Sequence, residues 1–261
     1  FRFYIPLFNR FISIILIFSF FFSFAQKNPH ENGGRFLKRI ENNFRNGDQI
    51  KMGDLNQYAW NFDSKTKIEI LLFGDYNAAV EFFFSPSFEG ASGFRIVEDT
   101  INSSYSLEIK YICNYEEAIK QSEAKFPSIG IPAKLFSSLP KNIDSLIYEY
   151  NLAMRYRRED EMLKLYKVGV ATHSVSQKFA KKIYTKMVSV IRDFQVKGKP
   201  NKILDGYNVT FRSVVNDELW TLNIHMPQGD IETFSNICRQ IIIDVKNGNF
   251  DETKFIPLLN K

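Results

Sequence analysis

The order of apolar patterns in the second half of this chain constrains the fold more than any other feature. Residues 165–172 alternate as a strand, and Ser174 and Gln177 have the spacing of a capping box that opens an amphipathic helix. Two strands with the pattern of a hairpin follow, and a final helix begins near Asp230. This βαββα order predicts an α+β protein with a layered helix-on-sheet architecture, in which the helices cover one face of the sheet.

The first half has a weaker pattern in which strands dominate. A short helix is expected over residues 36–47, and residues 48–66 are irregular, with Trp60 as their apolar anchor. Strands are expected at residues 68–73, 80–84, 93–98 and 105–113. Asn114 can cap a helix over residues 115–125. The first half therefore predicts a second α+β region built around a hairpin.

Prolines and a glycine mark the boundary between the halves: Pro127, Gly130, Pro132 and Pro140. We expect an N-terminal α+β region at residues 35–130 and a C-terminal βαββα region at residues 131–261, packed together as one unit. A helix over residues 141–161 is expected to bury one apolar stripe, formed by Ile143, Leu146, Ile147, Tyr150, Ala153 and Met154.

The two halves also share a weak pattern. Residues 94–95 and residues 211–212 are both Phe-Arg pairs at similar hairpin positions, and a helix follows each hairpin. Residues 105–110 resemble residues 220–225 in their alternation. Two interpretations are open: a weak internal duplication, or the general likeness of any two half-buried hairpins.

Residues 1–25 have the features of a signal peptide. Two arginines flank the start of an apolar run over residues 11–22, and the small residues Ser23 and Ala25 stand at the −3 and −1 positions of a cleavage site. The run is well short of the roughly 20 residues that span a bilayer, so we expect cleavage rather than a permanent membrane anchor. A polar linker at residues 26–34 then precedes the mature protein, which we expect in the periplasm or outside the cell.

The charge and the motifs exclude several classes of function. The formal net charge is +5, and loss of two arginines with the leader reduces it to +3, which gives no electrostatic case for nucleic acid binding. The sequence contains no phosphate-binding glycine loop, no zinc-protease helix motif, no paired Cys-x-x-Cys and no serine nucleophile elbow. We therefore assign no catalytic residue, no metal ligand and no cofactor from the sequence.

The polar side of the second hairpin is the candidate binding site. Arg212, Asn223 and His225 fall on this side by the parity of the two strands. We expect Arg212 and His225 to be accessible to solvent and close together, where they would contact a protein or a small molecule. The simpler interpretation is an open polar sheet face that contacts only water.

The two cysteines fall on apolar faces of their predicted elements. Cys113 ends a strand, and Cys238 lies within the apolar stripe of the last helix. An exported protein can form a disulfide, and closing so long a loop would contribute on the order of 4–5 kcal/mol. Unpaired cysteine is also among the most buried residue types. Two arrangements are therefore open: a disulfide between these cysteines, or two separate thiols in the core.

A set of positions in the second half carries a resemblance to a known group of proteins. The positions are Phe179, Ala180, Tyr184, Met187 and Val188, the run from Ile203 to Tyr207, Phe211 and Arg212, and then Trp220, Leu222, Ile224, His225 and Pro227. Over residues 165–247 the chain resembles uncharacterised exported proteins of Gram-negative bacteria. The resemblance implies secretion to the periplasm or beyond, and it implies no activity, cofactor or site residue.

Two classes of function remain open. The leading hypothesis is a non-catalytic periplasmic binding or assembly module, because no catalytic set of residues is recognisable. The alternative is a hydrolase or another small-molecule enzyme that uses Asp205, Asp217 or His225 at the ends of the second hairpin. A cleft that brings two of these side chains within hydrogen-bond distance would favour an enzyme. A continuous exposed polar face would favour binding.

Overall fold

A single mixed sheet of eight strands organises the protein. The structure is a computed structural model that describes residues 37–43, 48–49, 66–74, 78–99, 101–136, 140–194, 205–215 and 218–260. The strands are β1 (Leu37–Asn43), β2 (Asp48–Gln49), β3 (Val80–Pro86), β4 (Ser92–Asp99), β5 (Ser104–Ile112), β6 (Val168–Val175), β7 (Tyr207–Val215) and β8 (Glu218–His225). Their order is β2-β1-β8-β7-β3-β4-β5-β6. β1 is parallel to β8, and all other neighbours are antiparallel.

Seven α-helices accompany the sheet in the described part of the chain. They are α1 (Lys67–Phe73), α2 (Tyr115–Lys125), α3 (Ala133–Phe136), α4 (Lys141–Leu165), α5 (Gln177–Arg192), α6 (Asp230–Lys246) and α7 (Glu252–Phe255). A 3₁₀ turn follows at Leu258–Asn260. The predicted α+β class is confirmed, and so is the βαββα order of the second half. None of the described helices is both long enough and apolar enough to cross a membrane.

The main core lies between the sheet and the helices α5 and α6. Alternate residues of the central strands point to this face, and Phe82, Phe94 and Phe211 are fully buried there. The Phe211 ring stacks on the Phe234 ring of α6 at 5.4 Å between centroids. Trp220 packs partly buried against the same core, on the face that the sequence predicts. The two helices of the second half thus share one sheet face, as expected.

The N-terminus of α5 differs in detail from the sequence prediction. The N-cap is Ser176, whose Oγ accepts a hydrogen bond from the Phe179 N–H at 3.1 Å. The predicted capping box of Ser174 and Gln177 does not form this cap, because β6 continues to Val175. The helix therefore begins two residues later than the capping-box pattern indicates.

The other face of the sheet is covered by α1, where the sequence predicts a strand. Thr66 caps this helix through a capping box with Glu69, and Leu72 and Phe73 are buried against Phe83 of β3. A short apolar run of this length does not distinguish a strand from a buried helix, and here the cap decides. The expectation of a strand at residues 68–73 is wrong, and helices cover both faces of the sheet.

The close approach of α1 depends on a glycine in β4. A Cβ atom on Gly93 would lie 2.5 Å from the Phe82 carbonyl oxygen and 2.7 Å from the Phe73 ring. Real Cβ atoms do not approach other atoms this closely. Gly93 therefore provides the space in which the ring of Phe73 contacts the sheet.

The helix predicted over residues 36–47 is also wrong. Leu37–Asn43 forms β1, which adds to the sheet as a parallel neighbour of β8, in register from Leu37 opposite Leu219 to Glu41 opposite Asn223. The exposed edge of β8 offers backbone partners that a sequence pattern does not reveal, and tertiary context overrides weak local preference. The leader, the linker, Trp60 and Asp217 lie outside the described residues.

Strands from both halves of the chain alternate in the sheet. β3 of the first half pairs with β7 of the second, and β5 pairs with β6. The predicted internal duplication finds no support, because the helices that follow the two hairpins occupy different places. Tyr115 of α2 packs against the cluster on the α1 side of the sheet, whereas α6 contributes Phe234 and Cys238 to the main core.

Candidate functional site

Arg212 does not lie on an open polar face, contrary to the sequence prediction. Its exposed fraction is 7%, and its guanidinium is held between two carboxylates. Nη2 donates to Glu69 Oε1 at 2.6 Å, and Nη1 donates to Glu81 Oε1 at 2.7 Å. Glu69 belongs to α1 and Glu81 to β3, so α1 encloses the group. Arg212 is therefore not accessible to a partner.

The environment of Glu69 explains why a buried carboxylate stays charged. Burial disfavours the ionised form, but the positive charge of Arg212 and hydrogen bonds from Thr66 and Arg212 outweigh it, and the pKa of Glu69 is lowered. Thr66 donates its backbone N–H and its hydroxyl to Glu69 Oε2 at 2.7 and 2.9 Å. Burial likewise opposes the charge of Arg212, but the two carboxylates raise the pKa of this guanidinium.

The buried ions belong to a row of alternating charges that crosses four strands. Glu81 lies opposite Arg212 on one side and opposite Arg95 on the other, and Arg95 lies opposite Glu108. Arg95 Nε donates to Glu108 Oε2. Cross-strand neighbours of opposite charge attract each other, so the row stabilises the register of β7, β3, β4 and β5. We name these four residues and Glu69 the charge row.

The other two predicted binding residues, Asn223 and His225, lie on β8, the strand next to Arg212's strand β7. Asn223 Nδ2 donates to Thr210 Oγ1 at 2.8 Å, and His225 Nδ1 lies 3.2 Å from Asn208 Oδ1. Arg212 is opposite Thr221 in the register, whereas His225 is opposite Asn208. Four residues along β7 separate these positions, a distance of about 13 Å. The prediction that Arg212 and His225 are close together is therefore wrong.

Of the three residues of the hydrolase alternative, the structure describes Asp205 and His225. Asp205 is exposed before β7. The His225 ring meets the amide of Asn208, which does not titrate and so lacks the acid–base function that this alternative requires. Among the described residues, no group of three or more His, Cys, Asp and Glu side chains is arranged to hold a metal ion.

The cysteines do not form the disulfide that export would permit. Both are free thiols; Cys238 is completely buried in the main core, whereas Cys113 is exposed. β5 ends at Ile112, and a Cβ atom on Gly169 would lie 2.7 Å from Cys113 Sγ. Cys113 therefore lies over a glycine beyond the end of its strand. Of the two arrangements that the sequence leaves open, the structure has separate thiols, but Cys113 does not lie in the core as expected.

The contrast between the two thiols leads to a prediction. Burial raises the pKa of the Cys238 thiol well above its usual value, which suppresses the reactive thiolate. We expect a maleimide to modify the native protein once, at Cys113, and a second time only in denaturant. Intact-mass spectrometry measures both steps. Cys113→Ser is the control and should remain unmodified in the native state; two rapid modifications of the native protein would contradict the burial of Cys238.

A cleft of about 680 Å³ lies at the start of α2, and the sequence analysis did not identify it. Its walls include Phe88, Cys113, Tyr115 and Lys120.

Asn114 was expected to cap α2, but its side chain instead contacts the connection between α4 and β6. Nδ2 donates to the Leu165 carbonyl at 3.0 Å, and Oδ1 accepts from the Lys167 N–H at 2.7 Å. These bonds fasten α2 to the sheet edge.

The N-terminal half of α4 exposes apolar side chains where the sequence predicts a buried stripe. Ile143, Leu146 and Tyr150 are 37%, 59% and 38% exposed, whereas Met154 is buried at 7%. The exposure of Ala153 and the partial exposure of Ile147 continue this pattern along the helix. The predicted stripe exists as a pattern, but the described part of the chain buries only its last member. We name Ile143, Leu146, Ile147 and Tyr150 the α4 stripe.

The stripe is exposed because α4 is longer than the elements that support it. α4 has 25 residues and spans about 37 Å, whereas α2 has 11 residues and spans about 16 Å. The contacts lie toward the C-terminal half of α4: Lys125 Nζ donates to Glu161 Oε1 at 2.6 Å, and Asn151 Nδ2 donates to the Ile129 carbonyl at 2.9 Å. The first turns of α4 project beyond this support.

Comparisons with known proteins add no relative to this description. No protein-family model, no curated protein and no solved structure matches the chain.

Proposed function

We propose that this chain is an exported protein that acts as a non-catalytic binding or assembly module, in the periplasm or outside the cell. The observation that carries the binding role is the α4 stripe. Its residues recur at the i, i+3, i+4, i+7 spacing with which a helix buries one face against a neighbour. Contiguous apolar surface of this kind on a soluble domain marks a contact with another molecule.

The form of the stripe favours a protein as the partner. A small molecule binds in a concave pocket that surrounds most of its surface, whereas the stripe lies on a projecting helix. An apolar helix face with this spacing fits a groove or a second helix of a protein. Leu135 of α3, which precedes α4 in the sequence, is also 52% exposed. The net charge of +3 after loss of the leader gives no support for nucleic acid as the partner.

The proposed export is supported by the sequence. The arginines, the apolar run and the small residues before Gln26 are the three parts of a cleavable leader. The resemblance to exported proteins of Gram-negative bacteria agrees with this assignment. An exported module with free thiols would depend on its core and not on a disulfide for stability.

One experiment tests both parts of the proposal. The chain is expressed with its own leader and a start codon in a Gram-negative host. We expect the protein in the periplasmic or extracellular fraction, with Gln26 at its N-terminus by protein sequencing. A membrane-bound product that retains residues 1–25 would refute the export. The purified protein is then used to capture proteins from a periplasmic extract.

Variants of the α4 stripe decide whether captured proteins bind there. Leu146→Gln should abolish most of the capture because it places a polar group in the centre of the stripe. It should leave the melting temperature within the range of surface substitutions, which change stability by no more than about 0.5 kcal/mol. Ile101→Gln is the matched control, since Ile101 is 91% exposed in the β4–β5 turn. Equal loss of capture in both variants would indicate nonspecific adhesion and refute the assignment.

A further inference from the structure

In the part of the chain that the structure describes, the edge of β6 lacks the features with which proteins protect an edge strand. β6 is the last strand at its end of the sheet, and it pairs with β5 over eight residues without a bulge. Its sequence, VGVATHSV, contains no charged residue and no proline. Val170 is 58% exposed, and the next exposed positions are Thr172, His173 and Ser174. A long, uncharged and regular edge of this kind favours pairing with another strand.

The backbone groups that point outward can be assigned from one hydrogen bond. The Cys113 N–H donates to the Lys167 carbonyl at 2.9 Å, so the backbone of Lys167 points toward β5. In an antiparallel pair the backbone groups of successive residues point alternately to the two sides. The N–H and C=O groups of the even-numbered residues therefore point away from β5: Val168, Val170, Thr172 and Ser174. These groups form a regular set of donors and acceptors along the edge.

The two ends of this edge carry opposite charges. Lys167, whose side chain is 71% exposed with Nζ 3.7 Å from Glu117 Oε2, precedes the strand. Glu252 of α7 lies beside its other end, where Glu252 Oε2 accepts the Ser176 N–H at 2.8 Å. An antiparallel partner with the same sequence would bring the Lys167 end of each strand to the Glu252 end of the other. A parallel partner of the same kind would place like charges together. The edge is therefore complementary to itself in the antiparallel direction.

We propose that two copies of this protein associate through their β6 strands, paired antiparallel about a two-fold axis at Ala171, so that Val170 of one copy lies opposite Thr172 of the other. The two sheets then form one continuous sheet across the axis. The outward backbone groups of Val170 in one copy form hydrogen bonds with those of Thr172 in the other copy. A two-fold axis is the usual symmetry of a homodimer, and it repeats each contact twice. The α4 stripe takes no part in this contact, so the dimer and the function proposed above are tested separately.

Sedimentation velocity tests the dimer. The sample is the protein purified in the form that the host produces. Strand pairing alone buries little area, so we expect a monomer at low concentration and a dimer as concentration rises. Val170→Lys places a charge beside the axis, and Thr172→Pro removes an outward N–H that β5 does not use. Both variants should be monomeric at every concentration with a nearly unchanged melting temperature. Ile101→Lys, far along the chain on an exposed turn, is the charge-matched control and should still dimerise.

Amide hydrogen exchange identifies the surface. In the concentrated wild type, the N–H groups of Val170 and Thr172 should exchange several-fold more slowly than in dilute protein or in Val170→Lys. A wild type that remains a monomer at all concentrations would overturn the proposal. So would a dimer that survives both β6 variants, or one whose edge amides gain no protection. The proposal would also be overturned if Leu146→Gln dissociated the dimer and Val170→Lys did not, because the association would then be assigned to the α4 stripe.

Discussion

Arg212→Met should lower the free energy of unfolding by about 3–5 kcal/mol, because it leaves the buried carboxylates of Glu69 and Glu81 without their shared cation. Both carboxylates are less than 5% exposed, and each accepts one hydrogen bond from the guanidinium. Urea unfolding at neutral pH, followed by circular dichroism, measures the loss. Arg155→Met is the matched control, because the Arg155 side chain is 60% exposed and should change stability by no more than about 0.5 kcal/mol.

The pH dependence of this loss distinguishes the buried ions from ordinary packing. In the wild type the pKa of Glu69 is lowered by folding, so its contribution is present above the unfolded pKa of about 4.3 and is lost as pH falls through the folded value. In Arg212→Met the carboxylate of Glu69 loses the charge and the hydrogen bond that lower its pKa, so burial should raise this pKa, and protonation then relieves the burial of Glu69. The difference between wild type and variant should therefore shrink as pH falls below 5. A difference independent of pH would assign the effect to lost packing.

A combined variant provides a second test of the same group. The triple variant removes every charge of the buried group formed by Arg212 and its two carboxylates. It combines Glu69→Gln, Glu81→Gln and Arg212→Met. Replacement of a whole buried ion group by neutral side chains is often nearly neutral in stability, whereas removal of one member is not. We expect the triple variant to be more stable than Arg212→Met alone. A triple variant less stable than the single one would show that the carboxylates stabilise the fold without the cation.

Phe211→Ala should lower the free energy of unfolding by about 3–5 kcal/mol, since it empties a fully buried aromatic site. The Phe211 ring lies 5.4 Å from the rings of both Phe82 and Phe234, so its removal weakens the contact between β3, β7 and α6 together. Chemical denaturation measures the change.

Phe88→Ala is the matched control for this core variant. The same side chain is removed, but Phe88 is 77% exposed in the loop after β3. Its loss should change stability by no more than about 0.5 kcal/mol. A Phe211→Ala protein with stability within 1 kcal/mol of the wild type would contradict the placement of α6 over β7.

The second half of the fold could be predicted because its elements are long and strongly periodic. The stripes of α5 and α6 fit a helix over four turns or more, and the burial of Phe179, Ile183 and Cys238 follows from that spacing. The seven residues of α1 and of β1 are too few for periodicity to decide. Their states depend on a cap at Thr66 and on a partner strand far along the sequence, and only the cap was visible in the sequence.

The error at Arg212 follows directly from the error at α1. Strand parity correctly placed Arg212 and Phe211 on opposite sides of β7. Parity does not show which element covers a face, and the segment that covers Arg212 was assigned to a strand. Glu69 lay within the strand predicted at residues 68–73. Nothing in that prediction indicated that its carboxylate would contact a guanidinium 143 residues away in the sequence. The missed signal was the capping-box pair, Thr66 and Glu69, which marks the start of a helix.

The α4 stripe shows the converse limit. The spacing of Ile143, Leu146 and Tyr150 correctly predicts a helix, because apolar residues on one face are a property of the element itself. Their burial depends on a second element of sufficient length, and α2 ends too early. A pattern of residues therefore predicts the shape of a segment more reliably than its surroundings.

The position of β3 in the sheet sets the order in which the chain can fold. β3 forms its bonds with β7 across a separation of 131 residues at Glu81 and Arg212, so this contact closes only after the C-terminal hairpin has been synthesised. Until then β3 has an unpaired side, and α6 is not yet present to cover the apolar surface of Phe82 and Phe94. Contacts this distant along the chain form slowly. The centre of the sheet is therefore completed only near the end of synthesis.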